Sequence, residues 1–270
     1  MRHVRSSLLL ASAGLTLAFT AQAQVQVSLG PQVGAVSSFS SYSDHGSYAG
    51  NGRPYQTRYL AGFEGGVLVA ISYGRFQLQP ALLFTQRGFR IDDDYVSYTF
   101  HATTDVRLRL NYLSLPILAA YSLQASGQGW QVFGGPYLGR LVGGNYSFRN
   151  TYVGYRRPQY TIEGSMPVAT GAKYRTSSND PAAYDPTGNT PQLSSYFSRA
   201  VDVGLQAGLG YRYGNSLVRA SYSRGLNNLG VGTTIDYGSP SGTYTTEPPS
   251  YSSQAFELSF AYLFVPARRP

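Results

Sequence analysis

Both signs of charge recur in this sequence among small polar neighbours. Glu64, Arg87, Asp202, Arg212, Arg219 and Glu257 each share a parity with Gly, Ala, Ser or Gln along an alternating segment. Carboxylates and guanidiniums gathered on one face can line a solute path, form a switchable gate, or pair into a structural network, since buried charges must be paired. Other chemistry has fewer candidates. Beyond the N-terminal leader the histidines are His45 and His101, both in segments read as long loops, and no spacing ties either to a nucleophile and a carboxylate. Asp92, Asp93 and Asp94 could offer oxygens to Ca²⁺, but the Gly and terminal Glu of a calcium loop are missing, so they read as a solvated acidic turn. The chain has no cysteine, which excludes a disulfide framework, a thiolate metal site and a Cys nucleophile. No catalytic residue, metal or cofactor is expected.

The elements that must position the charged set are strands. In "FQLQPALLFTQRGFR" (76–90), Phe76, Leu78, Pro80, Leu82 and Phe84 take one parity and Gln77, Gln79, Ala81, Thr85 and Arg87 the other. Successive side chains of an extended chain point to opposite sides, so this is a strand with unlike faces. Similar segments run at about 25–37, 58–71, 107–122, 130–150, 197–213, 217–230 and 253–264, and no 3.6-residue period appears outside the N-terminus. Connections at 72–75, 123–129 and 214–216 are short, whereas 38–57, 91–106, 151–196 and 231–252 are long. Strict alternation of short and long connections puts all tight turns at one end of an antiparallel meander, the asymmetry of outer-membrane barrels.

Two parities leave open which face is inside. A soluble barrel would turn its large apolar residues inward. Here the polar parity is small, rich in Gly, Ala and Ser, which suits a crowded lumen better than a solvated wall. The Phe, Leu, Val and Tyr parity is therefore expected to face hydrocarbon. In 107–122 the apolar parity changes from Leu108, Leu110 and Tyr112 to Leu113, Leu115 and Ile117, which suggests a bulge near Tyr112 or a rim where Arg107 and Arg109 point outward. The facing of 130–150 is open.

Export fits a membrane barrel. Arg2, His3 and Arg5 precede an apolar run from Leu8 to Phe19 and an Ala21-Gln22-Ala23 site, so residues 1–23 read as a signal peptide and 24–270 as the barrel domain. The formal charge is +8, from 21 Lys+Arg and 13 Asp+Glu, and +6 after loss of Arg2 and Arg5. Export and the lack of a basic-aromatic motif argue against nucleic acid and in favour of anionic lipid. Charged residues make up 13%, about half the usual share, while Tyr reaches 24. Tyr59, Tyr73, Tyr121, Trp130, Tyr211 and Tyr262 lie near strand ends, as interfacial girdles require. Arg53, Arg58, Arg149, Arg156 and Arg157 lie near the long-loop ends, where a bidentate fork could meet lipopolysaccharide phosphates or simply belong to a soluble surface.

"LQPALLFTQRGFR" (78–90), "LNYLSLPILAAYSL" (110–123), "FGGPYLGRLVGG" (133–144) and "GLQAGLGYRYGNSLVRASYSRGLNNLG" (204–230) together resemble the PorT-like outer-membrane β-barrel proteins of Bacteroidota. The resemblance implies a location and a fold more than an activity; one member of that family is linked to type IX secretion. Where the family pattern often has acidic residues after Gln-Pro and inside Tyr-Leu-x-x-Pro, this chain has Ala81 and Ser114. The expectation is an all-β, eight-stranded antiparallel up-and-down transmembrane barrel with short periplasmic turns, long extracellular loops and both termini periplasmic. Its charged set is read as a lumenal plug, because eight strands leave little bore. Its function is read as non-enzymatic, through surface loops that bind a surface or secretion-system partner, with a barrel-embedded lipid-modifying or proteolytic enzyme, or a small pore, as alternatives. Loop 151–196 is too long for a plain connector and is the expected recognition element.

Overall fold

Alternation of this kind leaves each strand with one face to bury, and most of the strands solve this by pairing into one curled principal sheet. The computed structural model describes residues 25–43, 57–96, 98–154, 157–171, 173–177, 196–236, 243–245 and 249–264. In chain order the strands are β1 (Gln26–Ser43), β2 (Thr57–Arg58), β3 (Leu60–Tyr73), β4 (Phe76–Val96), β5 (Phe100–Ser122), β6 (Gly129–Gly154), β7 (Arg157–Thr170), β8 (Lys173–Ser177), β9 (Tyr196–Ser198), β10 (Val201–Tyr213), β11 (Ser216–Gly225), β12 (Gly232–Asp236), β13 (Thr243–Thr245) and β14 (Ser250–Tyr262). The principal sheet follows the order β10-β11-β14-β1-β3-β4-β5-β6-β7-β9, with β2 beside β4, and β10 pairs additionally with β6 from Val201–Arg140 to Arg212–Gly129. Its neighbours are antiparallel except β7 and β9, which run parallel. A separate three-stranded sheet holds β13, β12 and β8.

This path of ten strands corrects the eight-stranded up-and-down architecture expected from the sequence. Each of the eight predicted segments contains strand, although 197–213 is broken between β9 and β10 and 217–230 is strand only to Gly225, and much of what read as long loop is strand too. β4 runs on to Val96 and β5 starts at Phe100, so 91–106 is chiefly a hairpin extension. β6 runs on to Gly154, and β7 folds back on it inside the predicted 151–196 loop. The polar, charged alternation of these stretches lacks the lipid-type apolar signal, which is why they read as loops. The predicted leader, 1–23, lies outside the described residues.

Facing agrees with the small-polar-inside argument. Gln32, Gln77, Gln79, Thr85, Gln131, Ser223 and Glu257 are buried, while Val33, Leu78, Leu82, Phe84, Leu205, Leu258 and Phe260 are exposed on the opposite parity. On β4 the outward apolar series runs from Phe76 to Phe84, nine residues, the length a tilted strand needs (about 9–11) to cross hydrocarbon. Past it come Gln86, Gly88, Arg90 and Asp92. There the apolar residues move inward: Phe89, Ile91, Leu108, Leu110 and Tyr112 form a buried cluster with Leu141, Val168, Leu229 and Tyr251.

The parity change in β5 thus marks a change of medium, and β5 itself keeps one facing throughout. Arg107 and Arg109 do point outward. The irregularity lies on its partner: Asn111 faces Gly143 while Tyr112 faces Leu141, leaving Val142 as the extra residue of β6. Below Val142 the odd residues Gln131, Phe133, Tyr137 and Leu141 are buried; above it Tyr146, an even residue, packs against the inner cluster. That answers the open facing of 130–150.

At the other end β3–β4 and β10–β11 close with two-residue turns, Tyr73 paired with Phe76 and Tyr213 with Ser216. Gly74 and Gly214 take φ of 59° and 57°, the left-handed region that glycine enters without steric cost. Ladder partners are interrupted beside Pro80 and Pro116: pairing of β4 with β5 passes from Pro80–Ile117 to Leu83–Ser114, and of β5 with β6 from Pro116–Tyr137 to Ala119–Gly134. Proline has no N–H to give to the ladder.

Candidate functional site

Inner-face side chains of strands that are not neighbours meet across the curl of the sheet. Arg87 on β4 reaches β14 and β10: its Nη2 donates to Glu257 Oε1 at 2.7 Å and its Nη1 lies 3.7 Å from Asp202 Oδ2. Its guanidinium lies over the Tyr137 ring, 4.8 Å from the centroid, and Tyr137 OH donates to Asp202 Oδ2 at 3.2 Å. Glu257 also accepts from Gln206 Nε2, Ser221 Oγ and Ser223 Oγ. One level away, Arg219 donates to Gln32 Oε1 and Gln79 Oε1 and lies over the Phe133 ring. Gln32 Nε2 donates to Glu64 Oε1 at 2.8 Å, and Gln79 Nε2 to Gln77 Oε1 and Gln131 Oε1.

Five of the six predicted inner charges therefore fall into two buried hydrogen-bonded groups, Arg87, Glu257 and Asp202 in one and Arg219 and Glu64, bridged by Gln32, in the other. Arg212 stands apart near the turn end, where its Nε donates to Gly214 O at 3.3 Å. Sequence reasoning placed Gln77 and Gln79 on the inner parity but missed their hydrogen bonding into a glutamine array with Gln131, and Gln32 as the link between Arg219 and Glu64, although each shares the parity of the inner charges. It also missed the tyrosines Tyr112 and Tyr137 as inner partners.

Apolar clusters alternate with the polar layers. Toward the long strand ends is the Phe89–Tyr112–Tyr251 cluster, in which Tyr251 OH donates to Ser198 Oγ at 2.9 Å. Toward the tight turns are Leu68, Ala70, Ala81, Leu83, Leu217, Ala261 and Leu263, and separately Leu118, Ala120 and Phe133. Thr85 Oγ1, Arg87 Nε, Tyr112 OH, Gln131 Nε2 and Asp202 Oδ1 are buried without a protein partner, a pattern that buried water satisfies in folded interiors.

A second polar array lies on the outer face, past the apolar band. Arg90 Nε and Nη2 donate to the two oxygens of Asp105 at 3.2 and 2.9 Å, and Arg90 also pairs with Asp92 at 2.7 Å. Arg58 pairs with Asp92 at 2.8 Å, Arg107 with Asp105 at 3.3 Å and Arg149 with Glu163 at 2.9 Å. Of the predicted phosphate-binding arginines, Arg58 and Arg149 are thus engaged with carboxylates; Arg53 and Arg156 lie outside the described residues, and Arg157 opens β7 opposite Gly154. His101 contacts Asp94 on the exposed β4–β5 hairpin, and His45 lies outside the described residues. Among the described residues no group of three or more His, Cys, Asp or Glu could hold a metal.

Residues 18–230 match the family described as outer membrane protein beta-barrel domain. The chain belongs to that family. In an outer-membrane β-barrel protein the exposed Leu, Val and Phe parity faces lipid, and the aromatic residues at its turn-side margin fall into place. Phe76 packs on Tyr121 with centroids 5.2 Å apart, Trp130 on Tyr211 at 5.2 Å and Tyr262 on Phe264 at 5.1 Å. Among solved structures the chain is similar to OprG of Pseudomonas aeruginosa (10% identity, 89% of this chain and 96% of that one, TM-score 0.38). It is also similar to Ail, the attachment invasion locus protein of Yersinia pestis (10%, 88% and 99%, 0.34), and to Neisserial surface protein A (13%, 87% and 97%, 0.33). No curated protein matches the sequence.

Proposed function

We propose that this outer-membrane β-barrel protein is non-enzymatic, impermeable to solutes, and acts through the outer surface of strands that project from the membrane. The observation that carries this is the contrast along β4: an inner face filled by alternating polar and apolar layers, from Gln77 and Gln79 through Ala81 and Leu83 to Arg87 and then Phe89, and an outer face that continues beyond the lipid band as a paired, charged wall. In this reading residues 1–23 are the signal peptide, the two-residue turns and both termini are periplasmic, and the wall is extracellular. The PorT-like segments support membership of that subgroup, and a secretion-system or surface protein is the partner class. Arg109 and Arg140 point outward at the margin of the apolar band, and among the described residues neither has an ion pair, so they suit lipopolysaccharide phosphates better than the engaged Arg58 and Arg149.

Planar-bilayer recording on the refolded protein tests the reading. No steady conductance is expected, whereas regular single-channel openings would overturn the sealed interior and restore the small-pore alternative.

A further inference from the structure

Among the described residues the wall ends on an edge. β7 pairs with β6 from Arg157 to Pro167 and with β9 only at Val168–Thr170. Between Tyr160 and Met166 its other side has no strand partner among the described residues, and register with β6 is continuous over this span. Seven residues at about 3.3 Å each give some 23 Å of open edge. Backbone N–H and C=O groups aligned in this way are a template for one more strand. Edges of this length are usually blunted by proline, lysine or a bulge; here Pro158 and Pro167 stand outside the span, and Tyr160–Met166 contains neither proline nor lysine.

Side chains beside the edge specify what would add to it. On the inner parity Tyr160, stacked on Tyr152 at 5.0 Å, and Ile162 are both about half exposed and present apolar surface. On the outer parity the row of charge that crosses the wall, Asp105 and then Arg149, terminates in Glu163, whose described ionic partner is Arg149 alone. The next strand in that row completes it with a cation.

We infer that the Tyr160–Met166 edge of β7 is a docking site for an extended polypeptide segment with apolar residues on one parity and Lys or Arg on the other, bound by strand addition. Free main-chain groups recognise another main chain, while alternate side chains supply the selectivity. This rests on the reading that the wall projects from the membrane.

The test uses the full mature chain refolded in detergent micelles and a fluorescein-labelled ten-residue peptide of alternating Val and Lys. A matched peptide with N-methyl groups at every second amide cannot complete a ladder. Saturable anisotropy is expected for the first, at least ten-fold weaker binding for the second, and a loss of several-fold in Glu163→Lys; heat-modifiable gel mobility confirms that the variant is folded. Equal binding of the two peptides, or no saturable binding, overturns the inference. A micelle mass showing two protein copies that pair through β7, abolished by Ile162→Pro, would assign the edge to a second copy and overturn it as well. Channel openings with intact peptide binding would remove the sealed-barrel reading and leave this one standing.

Discussion

Arg87–Glu257 and Arg149–Glu163 are the same chemical pair in two surroundings. The first is 2.7 Å long with side chains 6% and 2% exposed; the second is 2.9 Å long with 67% and 63% exposed. Geometry barely separates them. Burial does, because removing one member of a buried pair leaves a charge without water or counter-charge, whereas an exposed partner is simply rehydrated. Glu257 also serves Gln206, Ser221 and Ser223, so its neighbours are committed to it. Glu163 serves Arg149 and otherwise faces solvent. The inner pair holds the fold in one arrangement, and the outer pair is free to exchange partners.

Four substitutions, compared by urea unfolding in lipid vesicles and followed by the fluorescence of the single tryptophan, Trp130, measure that contrast. Glu257→Ala should cost the most, about 3–5 kcal/mol, since it leaves Arg87 only the longer 3.7 Å contact with Asp202 and strips Gln206, Ser221 and Ser223 of their acceptor; a loss below about 1 kcal/mol would mean that water reaches the inner layer. Gly204→Ala should follow at about 1–3 kcal/mol. Its Cβ would lie 2.2 Å from Arg224 O and 2.4 Å from the Tyr137 ring, displacing the aromatic surface beneath Arg87. Tyr112→Phe removes a buried hydroxyl that has no protein partner. It should be neutral or stabilising by up to about 1 kcal/mol if that hydroxyl is dry, and destabilising if a trapped water bridges it to Asp202. Arg149→Ala should change stability least, by about 0.2–0.5 kcal/mol, and the difference should fade in high salt.

How far the sequence could be read depends on the medium each residue meets. Within the lipid band, the alternation of "FQLQPALLF" marks a strand and, through the small size of the polar parity, the direction each face takes. Five of six inner charges join two buried groups as a result. Beyond the band the rule inverts: water is outside, so Phe89 and Leu108 turn in while Arg90 and Arg107 turn out. In β4 and β5 the sequence changes parity to achieve this. In β6 the extra residue Val142 does so instead: the even parity that faces lipid at Val132 and Leu138 faces inward at Tyr146. A period-two reading registers the first device as a defect and cannot see the second. The same inversion hid β7, whose outward row is polar, and with it the strand count. Which carboxylate pairs with which arginine follows from register, and one sequence holds no record of register for strands joined by long connections.

The prolines of β4 and β5 bear on motion. Around Pro80 and Pro116 three adjacent seams, β3–β4, β4–β5 and β5–β6, lack consecutive ladder partners near one level, close to the middle of the lipid-facing span. The cross-section should therefore breathe along this crease, so that lateral pressure from the bilayer deforms the wall there first, while the stiff polar layers around Arg87 and Arg219 keep their spacing.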